Sequence, residues 1–496
     1  MKQKIISKVL ACSVVGAMAF TGCATDTSKA TTTEAAEAVN ESESASETTA
    51  SSTALTRDDI TVNETIENSE DDGHAIEVSG EEASYSNVEV LKTGSSDSGD
   101  EADFYGYNSA IFATDGATLD LSNIVVDTDG EHANAVFSYG EGTTVNISDS
   151  YIITSNNCSG GLMTTGGGTT NATNVTVETS GNSSAAIRSD RGGGTVTVDG
   201  GSFTTSGTGS PVIYSTADIT VNDAAMTSTA SQGVVVEGQN SATLNNVTLN
   251  ADNNIKNGDN SDYYQAVMIY QSMSGDADEG DAAFTMNGGT LTNANGDIFF
   301  ITNTVADITL DGATIVNNDE DGIFLRAAAA GWGSEGSNGG QVNVYATNQS
   351  IDGDMVVDDV SAMNLYLQEG STYNGSINSD GQAGDVYVEL SDDATWTLTG
   401  DSYITGLTCD ADSINLNGYK LYINGEEYTE GSESTGEAIE LTSGSGNGGA
   451  PDGMPSGDKP DGEAPSGEAP SGDKPSGDKP SGEKPSGAKT GSSSSN

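Results

Sequence analysis

Basic residues are scarce in this chain. Sixteen Lys and Arg stand against 75 Asp and Glu in 496 residues, a net charge of −59. Phosphate backbones and anionic membrane surfaces are held by clustered Lys and Arg, so nucleic acid and direct adsorption to anionic lipid are excluded as partners. Aromatic residues make up only 6 %, and of nine prolines all but Pro211 fall after residue 450. The apolar stretch over residues 9–20 is too short for a permanent membrane-spanning helix. Such polarity ordinarily leaves a chain disordered. Here the few apolar residues of the middle segment recur too regularly for that.

The ends differ from the body. Lys2, Lys4 and Lys8 precede the apolar stretch, and Phe20-Thr21-Gly22-Cys23 follows it. This tripartite layout reads as an export signal over residues 1–22. Its end resembles a lipobox, with Phe20 where Leu is usual, and the resemblance implies lipidation of Cys23. Residues 23–57 are a Ser/Thr/Glu-rich spacer with no apolar period to bury. Residues 431–496 are an acidic linker and a tail in which Pro-Ser-Gly recurs every five residues, a hydrated, semi-extended string. Both terminal segments are expected to be disordered. The expected location is the outer face of the cell membrane, reached through the lipid anchor only. The tail is a candidate for cell-wall contact.

Residues 58–430 are a repeat. Ala110-Ile111-Phe112, Ala135-Val136-Phe137, Gly161-Leu162-Met163, Ala186-Ile187-Arg188 and Val212-Ile213-Tyr214 align at steps of roughly 25 residues. A second set follows each, including Leu119-Asp120-Leu121, Val145-Asn146-Ile147 and Val196-Thr197-Val198. After a polar turn comes a third, at Val125, Ile152, Val177, Phe203 and Met226. Alternation with period two marks half-buried strands. Asp199-Gly200-Gly201 and Asn287-Gly288-Gly289 supply corners that accept positive φ.

Three short strands per repeat with no helix between them predict an all-β chain folded as a right-handed parallel β-helix. It has three strands per rung and about a dozen rungs, roughly 55 Å of stacking. Residues 252–264 and 327–340 read as lateral loops, and residues 414–428 as a closing hairpin. Cys158 and Cys409 then lie about 45 Å apart, far beyond disulfide reach, and are expected to be free thiols.

The rung pattern, the lipobox and the Pro/Gly tail together resemble pectin-lyase-like β-helix surface proteins, and among them the adhesin-like lipoproteins of anaerobic Gram-positive bacteria. The resemblance implies a non-catalytic surface protein binding glycan or another cell surface. Its motifs are structural, and the fold also carries polysaccharide lyases and glycoside hydrolases acting on acidic polysaccharide, which stand as the alternative. A structural envelope spacer is a third. Between residues 58 and 443 the basic residues are Lys92, Arg188, Arg191, Lys256, Arg326 and Lys420. Both His74 and His132 read as loop residues far from the arginines, which gives no assembled catalytic set.

Arg188 is the informative exception. It occupies the column filled elsewhere by Phe112, Phe137, Met163 and Tyr214, and an unpaired guanidinium does not point into a dry core. The column therefore faces outward. As an exposed strip it would stack sugar rings and fork carboxylates, making these five residues and Arg191 candidate ligand contacts. The bland alternative is that loops cover the strip and Asp190 pairs with Arg188. Trp332 is a further candidate at a loop tip. Asp276, Asp278, Glu279 and Asp281 crowd into six residues, a weak Ca²⁺ candidate whose spacing matches neither an EF-hand nor the Gly-rich calcium β-roll repeat. No other cofactor is expected.

Overall fold

The computed structural model describes residues 54–442, except Met273 and Asp392. Residues 1–53, Cys23 among them, and the tail from residue 443 lie outside the described residues. The chain coils into a parallel β-helix. One face is an eleven-stranded sheet, from Ile76–Ser79 through Ile111–Thr114, Val136–Tyr139, Leu162–Thr165, Ile187–Ser189 and Ile213–Ser215 to Met355–Val357. Every strand in it is parallel to its neighbours and in register with them: Ile111 pairs with Val136, Val136 with Leu162, Leu162 with Ile187 and Ile187 with Ile213. All five side chains are fully buried in one interior cluster. Branched aliphatics stacked on themselves satisfy β-propensity and burial together.

Over most of the coil the other two faces belong to one twenty-stranded sheet, and from Ser350 one of them continues as a separate four-stranded sheet. Three short strands per turn hold in most turns. Three long strands, Thr144–Thr154, Gly168–Thr179 and Gly194–Thr205, run around the corner and join those two faces. The corner is made as the sequence predicts, with Asp149, Asn174, Gly200, Asp223 and Asn246 all at positive φ. On either side of Gly200 the corner side chains also bond across turns, Asn174 donating to Asp149 at 2.7 Å and Asn246 to Asp223 at 2.6 Å. In the third set the stacked residue is Val126, paired with Ile152, rather than Val125.

Three departures matter below. Residues 93–109 leave the coil and carry a short α-helix, Asp100–Tyr105. Three acidic residues in its first turn suit the helix N-terminus, and Gly106 ends it in the left-handed region at φ +75°. The closing hairpin is shorter than residues 414–428. Ile414–Asn415 still pairs in parallel with Trp396 and Thr397, and only Leu421–Ile423 with Glu426–Glu427 is antiparallel, around Asn424-Gly425. Finally, residues 431–439 run back along the coil: Cys409 and Ser434 exchange two backbone hydrogen bonds, and Ile439 donates to Asn364 at 2.9 Å. Cys158 and Cys409 are free. Among the described residues no helix is long and apolar enough to cross a membrane.

Candidate functional site

The column Phe112–Phe137–Met163–Arg188–Tyr214 exists, each residue in register with the next. It faces away from the interior: Phe112, Phe137 and Met163 form a separate apolar cluster. It is not an exposed strip. Phe137 and Met163 have no exposed surface and Phe112 only 9 %. Segment 93–109 covers them. A Cβ on Gly106 would stand 2.6 Å from the Phe112 ring, so glycine is required by contact as well as by φ. His74 stacks on Phe112 with centroids 4.7 Å apart, and Tyr105 meets Tyr139 edge-on at 6.0 Å. Phe112, Phe137 and Met163 are therefore corrected from ligand contacts to the floor beneath a docked segment.

Arg188 continues this column and is half-buried at the edge of the cover. Its guanidinium lies 2.8 Å from Asp190, 3.4 Å from Asp103 on the short helix, and donates to the Ser183 carbonyl at 3.0 Å. Asp103 is buried and also pairs with His132 Nδ1 at 3.1 Å and accepts from Asn134 at 2.9 Å. His132, expected far from the arginines, is thus joined to Arg188 through one carboxylate. The reason is register: the turns of His132 and Arg188 lie close, and the covering helix reaches both. The hydrogen bond that the His132 ring donates to Asp103 holds the imidazole above its ordinary value. Burial pushes the Asp190 carboxyl up to about 7 despite Arg188, with Asp103, Asp276 and Glu237 adding to the rise.

Beyond Arg188 the floor changes character. Tyr214 and Tyr270 both donate to one oxygen of Glu237, Tyr270 at 2.9 Å. Glu237 is 1 % exposed and its other oxygen has no partner there. A cleft of about 270 Å³ opens over Arg188, Asp190, Tyr214 and Tyr270, with Phe104 and Asp276 at its sides. A second hollow of about 120 Å³ shares Tyr214, Tyr270, Pro211 and Asn257 with it and runs on to Trp332 and Tyr263. Both predicted lateral loops build these walls. They touch each other where Gly331 donates to the Asn260 carbonyl at 2.7 Å, and Trp332 meets Tyr270 edge-on at 5.1 Å.

Arg191 lies over the Phe104 ring at 4.3 Å and binds Asp276 at 2.8 Å, closing the rim. That contact spends Asp276. Asp278 faces Gln239, 3.5 Å away. Among the described residues, the three or more potential metal donors that gather within 4.8 Å are Asp103, His132 and Cys158, not the acidic loop. The structure thus brings Arg188 and Tyr214 to one cleft, with Arg191 behind its rim on Phe104 and Asp276 and Trp332 in the adjoining hollow. Sequence reasoning missed Asp103, Glu237 and Tyr270. Only Glu237 carried a signal, as an acidic residue at the end of the apolar run Val234-Val235-Val236. Comparison of the chain with protein families, curated proteins and solved structures found no match.

Proposed function

We propose that this protein is a lipid-anchored, adhesin-like surface β-helix that binds glycan in the cleft beside Arg188. The observation that carries the reading is the pairing of aromatic walls with polar groups in two adjoining lateral hollows that share Tyr214, Tyr270 and Asn257: Tyr214, Tyr270 and Trp332 offer ring faces and edges, while Arg188 and Asn257 offer hydrogen bonds. Sugars present apolar ring faces and a rim of hydroxyls, and a concave site of this composition matches both. A glycan array probed with the Cys23→Ser chain identifies the ligand. Trp332→Ala is then expected to weaken binding at least about tenfold, or ~1.4 kcal/mol. Because Trp332 is only half-buried at a loop, stability should move by less than about 1 kcal/mol. Unchanged affinity in Trp332→Ala would remove the cleft from the proposal.

One observation favours the enzymatic alternative. A carboxyl held near pH 7, such as Asp190, is what a general acid at neutral pH requires. Release of reducing ends or unsaturated products from an array-positive glycan, lost in Asp190→Asn, would establish that alternative in place of simple binding.

The anchor rests on Gly22-Cys23 directly after the apolar stretch. Cys23→Ser should move the protein from the membrane fraction to the medium or leave it unprocessed. Unaltered membrane association would remove the anchor from the proposal.

A further inference from the structure

We infer that Asp103, His132 and Cys158 form a zinc site that fastens the covering helix to the coil. The donor atoms of the three side chains all lie within 4.8 Å of one another, Asp103 and His132 buried and Cys158 half-buried. A carboxylate, an imidazole and a thiolate are the donors Zn²⁺ accepts, with about 2.0–2.3 Å to each, so tetrahedral ligands stand about 3.3–3.7 Å apart. His132 Nδ1 and Asp103 are already at 3.1 Å. Small side-chain rotations close the rest, with water as fourth ligand. The thiolate selects Zn²⁺ over Ca²⁺ or Mg²⁺, which prefer oxygen alone.

The backbone gives a second, independent reason. His132 and Cys158 occupy equivalent corners of successive turns: His132 N–H donates to the Asn157 carbonyl, and Cys158 N–H to the Asn182 carbonyl. Both sit in the left-handed region, at φ +57° and +55°. The next two corners hold Ser183 and Gly209, also at positive φ, of which glycine takes this conformation without cost. Two larger, metal-ligating side chains side by side in a disfavoured conformation point to a role for those side chains. The surroundings suit an ion as well. Asn134 orients the second Asp103 oxygen at 2.9 Å, as outer-shell partners of ligating carboxylates do. When an ion takes the first oxygen, Arg188 keeps Asp190 at 2.8 Å and the Ser183 carbonyl at 3.0 Å. Coordination displaces the Cys158 thiol proton, and any proton on the ligating imidazole nitrogen, into solvent.

Titration of the metal-free full chain with Co²⁺ tests this. One equivalent should produce a thiolate-to-cobalt charge-transfer band in the near ultraviolet, and Zn²⁺ should abolish it. Cys158→Ser, which places at this corner the residue that already fills the next one, should lose the band, and Cys409→Ser should keep it. Zn²⁺ should also slow amide exchange over residues 100–105 at least tenfold. Absence of the band at one equivalent in the unmutated chain overturns the site, as does its persistence in Cys158→Ser.

Discussion

Phe137→Ala is expected to cost about 3–5 kcal/mol, the penalty of a core phenylalanine, although the side chain points away from the interior of the coil. Phe137 is fully buried between its sheet and segment 93–109, against Phe112 and Met163. This cluster is separate from the interior ladder. The loss should therefore appear first as opening of the cover. Amide exchange over residues 100–105 should rise toward its unprotected rate, whereas Phe203→Ala, in the interior, should lower the global melting temperature. Full protection of residues 100–105 in Phe137→Ala would show that the cover does not depend on the apolar floor.

Arg188→Ala should be comparably severe and should depend on pH. Removing the guanidinium leaves the buried carboxylates of Asp103 and Asp190 without their shared cation, and breaking a buried pair from one side costs about 3–5 kcal/mol. Asp190 supplies the pH dependence. Its folded value, about 7, lies above the ordinary 3.8, chiefly through burial. A raised value means that the folded state holds the proton more tightly than the unfolded one. Its contribution to stability is then full below the ordinary value and is lost as pH rises through about 7. His132, also raised, contributes in the same direction: in full below 6.5, and lost as pH rises through its raised value. Glu131, Glu237 and Asp276 face the same cluster and keep the local field negative. The unmutated chain should thus lose some stability from pH 5 to pH 8, and Arg188→Ala considerably more. Denaturant melts at the two pH values measure both. An equal penalty at pH 5 and pH 8 would mean that Asp190 is not the group left stranded, and Arg188→Ala/Asp190→Ala should recover part of the loss if it is.

The coil was legible because its determinants are local and repeat. Ile111, Val136 and Leu162 alternate with polar or outward neighbours, and Asn, Asp and Gly mark the corners, so strand, register and facing follow from period two. Arg188 alone sufficed to set the facing of its column, since a guanidinium in a dry interior is prohibitive. The cover was not legible for the opposite reason. Residues 93–109 contain no period, and the six-residue helix is too short to show one. Asp103 looks like one acidic residue among many in a chain of this charge. Its importance comes from meeting His132, Asn134 and Arg188, which lie 29, 31 and 85 residues away in sequence. The approach of Cys158 to His132 likewise needs the register of the corners, which the strand pattern specifies only to within a residue or two.

The covering segment also alters how the coil would carry tension along its length. In a bare coil each turn is bonded only to the turns on either side, so a pull at one end peels one turn at a time at low force. Segment 93–109 breaks that arrangement. Asp103 binds the turn of His132 and the turn of Arg188, while the Phe104 carbonyl takes Thr165 of the turn between them at 2.7 Å. Those turns are thereby tied to one another through a single segment, directly beside the cleft.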